Sequence, residues 1–354
     1  MTTRFLFLAS QLQPFLVSGI SRLLMLYPEV QVLLLCDRAD ENTPVQPVFQ
    51  ERLQVFSFSH VPDPFFLDHI TAFRPDVVFC AGWMYPRYLG WCSQLRKNGA
   101  ITICAMDTQW KGSWKQQLAR IIAPVTLKRY FSLAWVPGRR QYDYALKLGF
   151  RREQVYDHLY APDTALFAQA WNRSGNNKKT AFPKVLLYAG RLVPHKLQPL
   201  LTAFCSLKSE ERGNWQLCIA GNGPMAKHPL LSAPAVKHIS FLSQRQLMEL
   251  MAAAGACALC STDEAWGTII QEAAAAGMPL VLSAQCGASD DFLEAGVNGF
   301  LCDGRDQKSI RQALLRLMGC NDATLFQMAA ASHRLGMRSG TDTWVATLMA
   351  MSGK

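Results

Sequence analysis

The 354-residue chain has no run of about 20 apolar residues free of charges and helix breakers, so no membrane-spanning helix is expected. Charge is also scarce: charged residues make up 18% against 50% hydrophobic, which leaves ample core material and little room for disorder. Neither a short-period repeat nor a low-complexity tract occurs, which argues against a repeat array. The opening MTTRFLFLASQLQP carries one Arg and an apolar run of only about six residues. That falls short of the roughly 7–15 residues of a signal-peptide core, and a first buried strand fits better. Eleven cysteines, an odd number, are scattered through apolar stretches such as VVFCAGW and WQLCIAG. Scattered apolar cysteines suit reduced, buried thiols in a cytosolic protein rather than a disulfide framework. Cys257 and Cys260 form a CxxC, but a strand turns residues three apart to opposite faces. No second CxxC or His pair completes a metal site, so neither a zinc nor a redox centre is expected.

Positive charge, by contrast, is present and uneven. The net charge is +10, and ten Lys or Arg lie between Lys111 and Arg152 against one acid, Asp143. Trp110, Trp114, Tyr130, Phe131 and Trp135 are interleaved with them. Such a stretch suits an anionic membrane surface. A solvated basic face is the plainer alternative, and nucleic acid is the least favoured, since no recognition motif accompanies the charge.

The length fits two domains of middling size. In the first half RFLFLAS, QVLLLCD, LQVFSFS, DVVFCAGW, AITICAM and LAWVPG read as buried strands with helical stretches between most of them. Strand alternating with helix predicts an α/β fold with a parallel sheet covered on both faces. Residues 168–183, AQAWNRSGNNKKTAFP, break the alternation and are the expected linker. It restarts with KVLLYAG, WQLCIAG, KHISFLS, ACALCS and MPLVLSA. The expectation is two Rossmann-like doubly wound domains, 1–167 and 184–340, facing a cleft, with a last helix in 341–354 packing back on the first.

Within CSTDEAWGTIIQEAAAAGMPLV, Thr268 to Gln271 has the form of a capping box, and Gly277 and Pro279 supply the stop signal. Glu272 then lies about 6 Å up the helix, with Glu264 in the entry loop. Two acids so placed are suited to different parts of an elongated ligand, and the helix N-terminus between them suits a phosphate. The plainer reading leaves both acids solvated. In YAGRLVPHK a strand ends at Gly190, and Arg191 and Lys196 follow in a loop where two cations could neutralise a diphosphate. A merely solvated basic loop is the alternative. IAGNGPMA matches GxGxxA from Gly221 to Ala226, but Pro224 and Pro229 interrupt the helix that a dinucleotide site needs. A tight turn approached by a ligand suits Gly221 and Gly223 better.

GRLVPHK, IAGNGPM, ISFLSQRQL, STDEAWGTIIQEAAAAGMPLVLS and EAGVNGFLC stand in the order and spacing of one family. The segment 184–305 resembles the retaining glycosyltransferases of family 4, the GT-B group that transfers sugars from nucleotide donors. The resemblance implies that Arg191 and Lys196 hold the donor diphosphate. It places Glu264, as the first Glu of an E-x7-E motif, beside the donor sugar, and Glu272 on the nucleotide ribose. Trp266, Gly267 and Thr268 fall in the turn whose backbone meets the sugar and phosphates, with Gly221 and Gly223 near the nucleotide. No metal or other cofactor is implied, in keeping with the missing DxD motif.

The departures lie mainly in the first domain. Leu197 stands where many members have Gly after the basic-loop Lys, and ASQLQPFLVSG offers only Gly19. Met106 replaces a frequent His, while Asp107 is kept and is read either as a catalytic neighbour of the donor sugar or as a helix N-cap. CGASDD replaces a common Gly-Gly-x-x-Glu, with Asp290 in the place of that Glu. The resulting expectation is transfer of a sugar, with retention, from a nucleotide-diphosphate sugar to a glycan or lipid-linked acceptor in cell-surface polysaccharide synthesis. The protein would be cytoplasmic, peripheral on the inner face of a membrane, and would bind no nucleic acid. A non-catalytic GT-B subunit binding a nucleotide or partner enzyme is the alternative. A nicotinamide-dependent oxidoreductase, resting only on Gly221 and Gly223, comes third.

Overall fold

A computed structural model describes residues 2–38, 51–57 and 63–353. The chain divides into two compact units, residues 1–162 with 339–354, and residues 163–338. The first begins β1 (Arg4–Gln11), α1 (Pro14–Leu26), β2 (Gln31–Arg38), β3 (Leu53–Ser57), α2 (Asp63–Phe73) and β4 (Val77–Ala81). It continues α3 (Pro86–Lys97), β5 (Ile101–Ala105), α4 (Trp114–Thr126), β6 (Leu133–Trp135), α5 (Arg139–Lys147) and β7 (Val155–Tyr156). The second begins α6 (Thr164–Thr180), β8 (Val185–Ala189), α7 (Pro194–Cys205), α8 (Ser209–Arg212), β9 (Gln216–Ala220) and β10 (Val236–Ile239). Then come α9 (Gln244–Ala253), β11 (Ala256–Leu259), α10 (Thr268–Ala275), β12 (Leu280–Ser283), α11 (Ser289–Phe292), β13 (Gly299–Cys302), α12 (Gln307–Met318) and α13 (Asp322–Gly336). The closing helix α14 (Thr341–Ser352) belongs to the first unit.

Both sheets are parallel and doubly wound. Their strand orders are β3-β2-β1-β4-β5-β6-β7 and β10-β9-β8-β11-β12-β13. In β1 the alternation is complete: Leu6 and Leu8 enter one core layer, while Phe5, Phe7 and Ala9 enter the other. Burial on both faces is why these strands read as unbroken apolar runs. Strand order reverses between β1 and β4 in one sheet and between β8 and β11 in the other. The loops at those C-terminal edges are where open α/β sheets bind ligands.

Trp344 of α14 is fully buried in the layer that holds Phe7 and Trp135. Its rings lie 6.1 Å and 5.0 Å from theirs. Gly19 is the reason α1 admits it: a Cβ there would stand 2.8 Å from the Trp344 ring.

The expected linker is instead helical. Residues 168–180 lie inside α6, which opens on the Asp163 side chain accepting from the Leu166 amide at 3.0 Å. Phe167, Ala170, Ser174 and Lys178 are buried at helical spacing, and Trp171 stacks 5.6 Å from Phe326 and 5.2 Å from His333. Packing overrides the weak helix propensity of the Asn, Ser and Gly in this run. Two strands were also not foreseen, β7 with two residues, too short to show a period, and β13 with four.

Candidate functional site

The residues singled out from the second half of the sequence gather at the β8–β11 edge of the second unit. The chain leaves β8 at Ala189, and the loop through Arg191 and Leu192 is laid against the loop that follows β9. Gly190 donates to Ala220 at 3.0 Å, Leu192 to Asn222 at 2.9 Å, and Met225 back to Leu192 at 2.9 Å. The two loops touch so closely that a Cβ on Gly221 would sit 2.0 Å from the Gly190 carbonyl oxygen. One on Gly223 would sit 2.5 Å from that of Leu192. These glycines are needed by the protein's own backbone, a reason the sequence did not disclose. After them Pro224–Lys227 makes a short 3-10 turn and not the long helix of a dinucleotide site.

Lys196 is not in the loop as expected but in the first turn of α7, whose N-cap is Val193 and which opens with Pro194. A cation at a helix N-terminus opposes the helix dipole, so its placement does not serve the helix. Its Nζ lies 2.6 Å from a carboxylate oxygen of Glu264, with the side chains 18% and 10% exposed. Leu197, in place of the glycine frequent in the resembled family, is fully buried and faces the core. Arg191 is exposed, and its carbonyl accepts from the buried Tyr188 hydroxyl at 2.8 Å. Burial, then the Glu264 charge, holds that hydroxyl well above the usual phenol range.

The segment carrying Glu264 is fixed by main-chain bonds at several points. Thr262 donates to the His195 carbonyl at 2.8 Å. Gly287 donates to the Glu264 carbonyl and Ala288 to that of Trp266, each at 3.1 Å. Glu264 is thus held between α7 and the loop after β12. Tyr188, His195 and residues 285–288 were not singled out from the sequence, because main-chain partners leave no side-chain signature.

The α10 helix begins at Thr268, but the capping box does not form. Gly267 is the N-cap, with φ 94° and no side-chain bond to the helix. Only glycine takes that conformation readily; no N-cap side chain covers the first turn, where the Ile270 amide donates to the Gly267 carbonyl at 3.0 Å. Trp266 contributes only its backbone to this turn, since its indole is buried and packs edge-on to Phe292 at 6.1 Å. Ala273 to Ala276 are fully buried, and a Cβ on Gly336 of α13 would stand 2.1 Å from the Ala275 nitrogen. This close helix contact fixes α10 in place. Glu272 keeps some surface, yet the packing around its carboxyl desolvates it and raises its pKa to about 7. Asp290 lies at the start of α11 and is exposed.

The first unit has its own cavity, about 280 Å3, at the β1–β4 edge. Gln13, Ala81, Trp83, Met84, Asp107 and Tyr160 are among its walls. Asp107 accepts from the Tyr160 hydroxyl at 2.9 Å. It is not a helix N-cap: Ser113 caps α4, accepting from the Gln116 amide. Cys257 and Cys260 are buried free thiols, and burial pushes that of Cys257 up to about 12. Among the described residues no three His, Cys, Asp or Glu side chains are gathered as a metal would need. No helix there is long and apolar enough to cross a membrane.

Residues 171–331 match the family model described as glycosyl transferases group 1. A glycogen synthase of Mycobacterium tuberculosis is 30% identical over 283 residues, covering 75% of this chain and 65% of that protein. A D-inositol 3-phosphate glycosyltransferase of Corynebacterium glutamicum is 32% identical over 183 residues, 48% of this chain and 42% of its own length. The chain thus spans just under two thirds, or less, of the curated relatives it matches. Among solved structures, Anabaena HepE in complex with UDP and glucose superposes with a TM-score of 0.74 at 16% identity over 98% of each chain. Residues 171–331 thus resemble the glycosyl transferases of group 1, a match that falls almost wholly in the second unit, and the chain as a whole has the GT-B fold.

Proposed function

We propose that the protein moves a sugar, with retention, from a nucleotide-diphosphate sugar to a glycan or lipid-linked acceptor. The observation that carries this reading is the Lys196–Glu264 pair at 2.6 Å, beside a glycine-capped helix that bears Glu272 in its second turn. A purely structural ion pair has no need of a glycine-capped helix N-terminus next to it. In this reading the diphosphate takes the first-turn amides of α10 together with Arg191 and Lys196. Glu264 meets the donor sugar, and Glu272 accepts from the ribose hydroxyls. Lys196 and Glu264 neutralise each other at 2.6 Å, so a diphosphate competes with Glu264 for Lys196. Fixed positive charge then stabilises the diphosphate as it gains charge on leaving. Asp107, in the first unit's own cavity, serves the acceptor. The relatives named as glycogen synthase and inositol phosphate glycosyltransferase support sugar transfer as the reaction class. No metal or further cofactor is part of this reading, and the proposed setting is the cytoplasmic face of a membrane, in cell-surface polysaccharide synthesis.

Calorimetric titration with UDP, GDP, ADP and dTDP tests it, on the native chain and on Lys196→Ala and Glu272→Ala. One nucleotide should bind. Each change should weaken it by about 1.5–3 kcal/mol, the value of a charge-assisted contact, or roughly one to two decades in Kd. No binding by any nucleotide would overturn the reading and leave the partner-subunit alternative in its place.

A further inference from the structure

Helix α4 is turned the wrong way round for a helix whose only task is to cover a sheet. Its buried residues are Gln116 and Ala123. Its large apolar side chains face outward: Trp114 is 72% exposed, Leu118 49%, Ile121 75%, Ile122 47% and Val125 73%. Their spacing of i, i+4, i+7, i+8 and i+11 makes one continuous stripe along the helix. A soluble surface helix shows the reverse arrangement, and an exposed apolar patch of this kind marks an interaction surface.

The inward side is firmly anchored, so the orientation is not a frayed alternative. Ser113 caps the helix, the Gln116 side chain accepts from the Lys111 amide at 2.7 Å, and it donates to the Gln109 carbonyl at 2.8 Å. Lys111, Lys115, Lys128 and Arg129, at the two ends of the stripe, are all exposed; Arg120 lies on the other side of the helix, where it lines a pocket with Arg140 and Asp143. An apolar stripe with cations at both ends, on a helix that itself carries no acid, is complementary to an anionic lipid surface, hydrocarbon below and phosphate above. Trp114, Leu118 and Ile122 also wall an apolar groove of about 420 Å3 together with Trp83. Trp83 in turn lines the cavity that contains Asp107.

We propose that α4 inserts its outward stripe into an anionic bilayer and so holds the Asp107 cavity at the lipid headgroups. The inference rests on the reading of that cavity as the acceptor side, and it narrows the acceptor to a lipid-linked one presented from the membrane. Its hydrocarbon stays with the bilayer along α4 while its polar head reaches the cavity past Trp83.

The test is flotation of the full chain with phosphatidylcholine vesicles, with and without phosphatidylglycerol, at low and high salt. The variants are Ile121→Glu/Val125→Glu and, for the electrostatic half, Lys115→Glu/Lys128→Glu. All four positions are exposed, so the fold and nucleotide calorimetry should be unchanged. The native chain should float with the anionic vesicles and each double variant at least about tenfold less. Trp114 emission should shift to the blue on vesicle addition, and Trp114→Phe should remove that shift. The proposal is overturned if the native chain ignores anionic vesicles or if the variants float as well as it does. It is equally overturned if the stripe proves to be a contact between two copies in sedimentation. Loss of nucleotide binding by the native chain would sink the donor-site reading separately, without moving the flotation result.

Discussion

The two units share one strand order over six strands, to which the first adds β7, and equip its reversal point differently. In the second unit the β8–β11 edge is crowded: loops abut at glycines, a lysine and a glutamate pair, and main-chain bonds tie the segments together. In the first unit the β1–β4 edge is a cavity lined by aromatic and amide side chains, with one carboxylate held by Tyr160. The one glycine after β1, Gly19, faces the closing helix instead of the edge. A crowded, pre-shaped edge suits a ligand common to a whole family. An open one suits a ligand that differs from member to member.

The largest effect expected from separating the two is Trp344→Ala. Truncating a fully buried Trp costs about 3–5 kcal/mol, and α14 would lose its anchor against Phe7 and Trp135. Thermal unfolding should show that loss, while nucleotide calorimetry below the transition should be unaffected, because every residue proposed to hold the donor nucleotide belongs to the second unit. A change in Kd comparable with that of Lys196→Ala would show that the units do not divide the work this way.

Two desolvated ionisable groups of the second unit give the next largest effects, with opposite signs in pH. Lys178 is 1% exposed with no hydrogen-bond partner for its Nζ, and burial lowers its pKa to about 8. The unfolded chain then binds more protons between about pH 8 and 10.5, so stability rises with pH across that window. Lys178→Met should add about 3 kcal/mol at pH 7, and the gain should shrink as pH climbs through 8 to 10.5. Glu272 is raised to about 7. Its contribution to stability is fully present below about pH 4.5 and is lost as pH rises through 7. Glu272→Gln should therefore match the native chain in acid and exceed it by on the order of 3 kcal/mol above pH 7. Denaturant melts at several pH values check both. Only the glutamate change should also weaken nucleotide binding, which separates a site residue from a buried bystander.

The sequence made the sheets legible, because apolar runs bounded by turn residues are local patterns, and the E-x7-E spacing singled out Glu264 and Glu272 in the same way. It misread α6, whose helix depends on Trp171 and Phe167 meeting partners far along the chain. It placed Lys196 in a loop because Pro194 looks like a break, although proline is at home in a first helical turn. It could not show the Lys196–Glu264 pairing, which joins residues 68 positions apart (196 to 264) through three-dimensional closure alone. Nor could it show which side of α4 faces outward, since an amphipathic pattern gives the stripe but not what covers it.

Gly221→Ala sharpens the comparison on the crowded side. The added Cβ would meet the Gly190 carbonyl at 2.0 Å, and backbone on both sides has little freedom to give. A stability loss of about 2 kcal/mol is expected from such overpacking. Because Gly190 leads directly to Arg191, nucleotide affinity should fall as well. A variant that unfolds at lower temperature but keeps its Kd would show that the loop's shape is not part of the site.

The smallest effect belongs to the surface bond between the first and last helices of the first unit. Arg22 of α1 and Asp342 of α14 form an ion pair at 2.5 Å, with side chains 35% and 70% exposed. Solvent screens such a pair and ordering two side chains offsets much of its attraction, so Asp342→Asn should cost about 0.5 kcal/mol or less. The contrast with Trp344, two residues further on, is what makes the measurement useful. If α14 is held by burial, high salt should leave the melting temperature of the native chain nearly unchanged, and Asp342→Asn should do little more. If salt or that one substitution instead releases the helix, the charge pair and not the tryptophan closes the first unit, and Gly19 has been misread as the position that admits the ring.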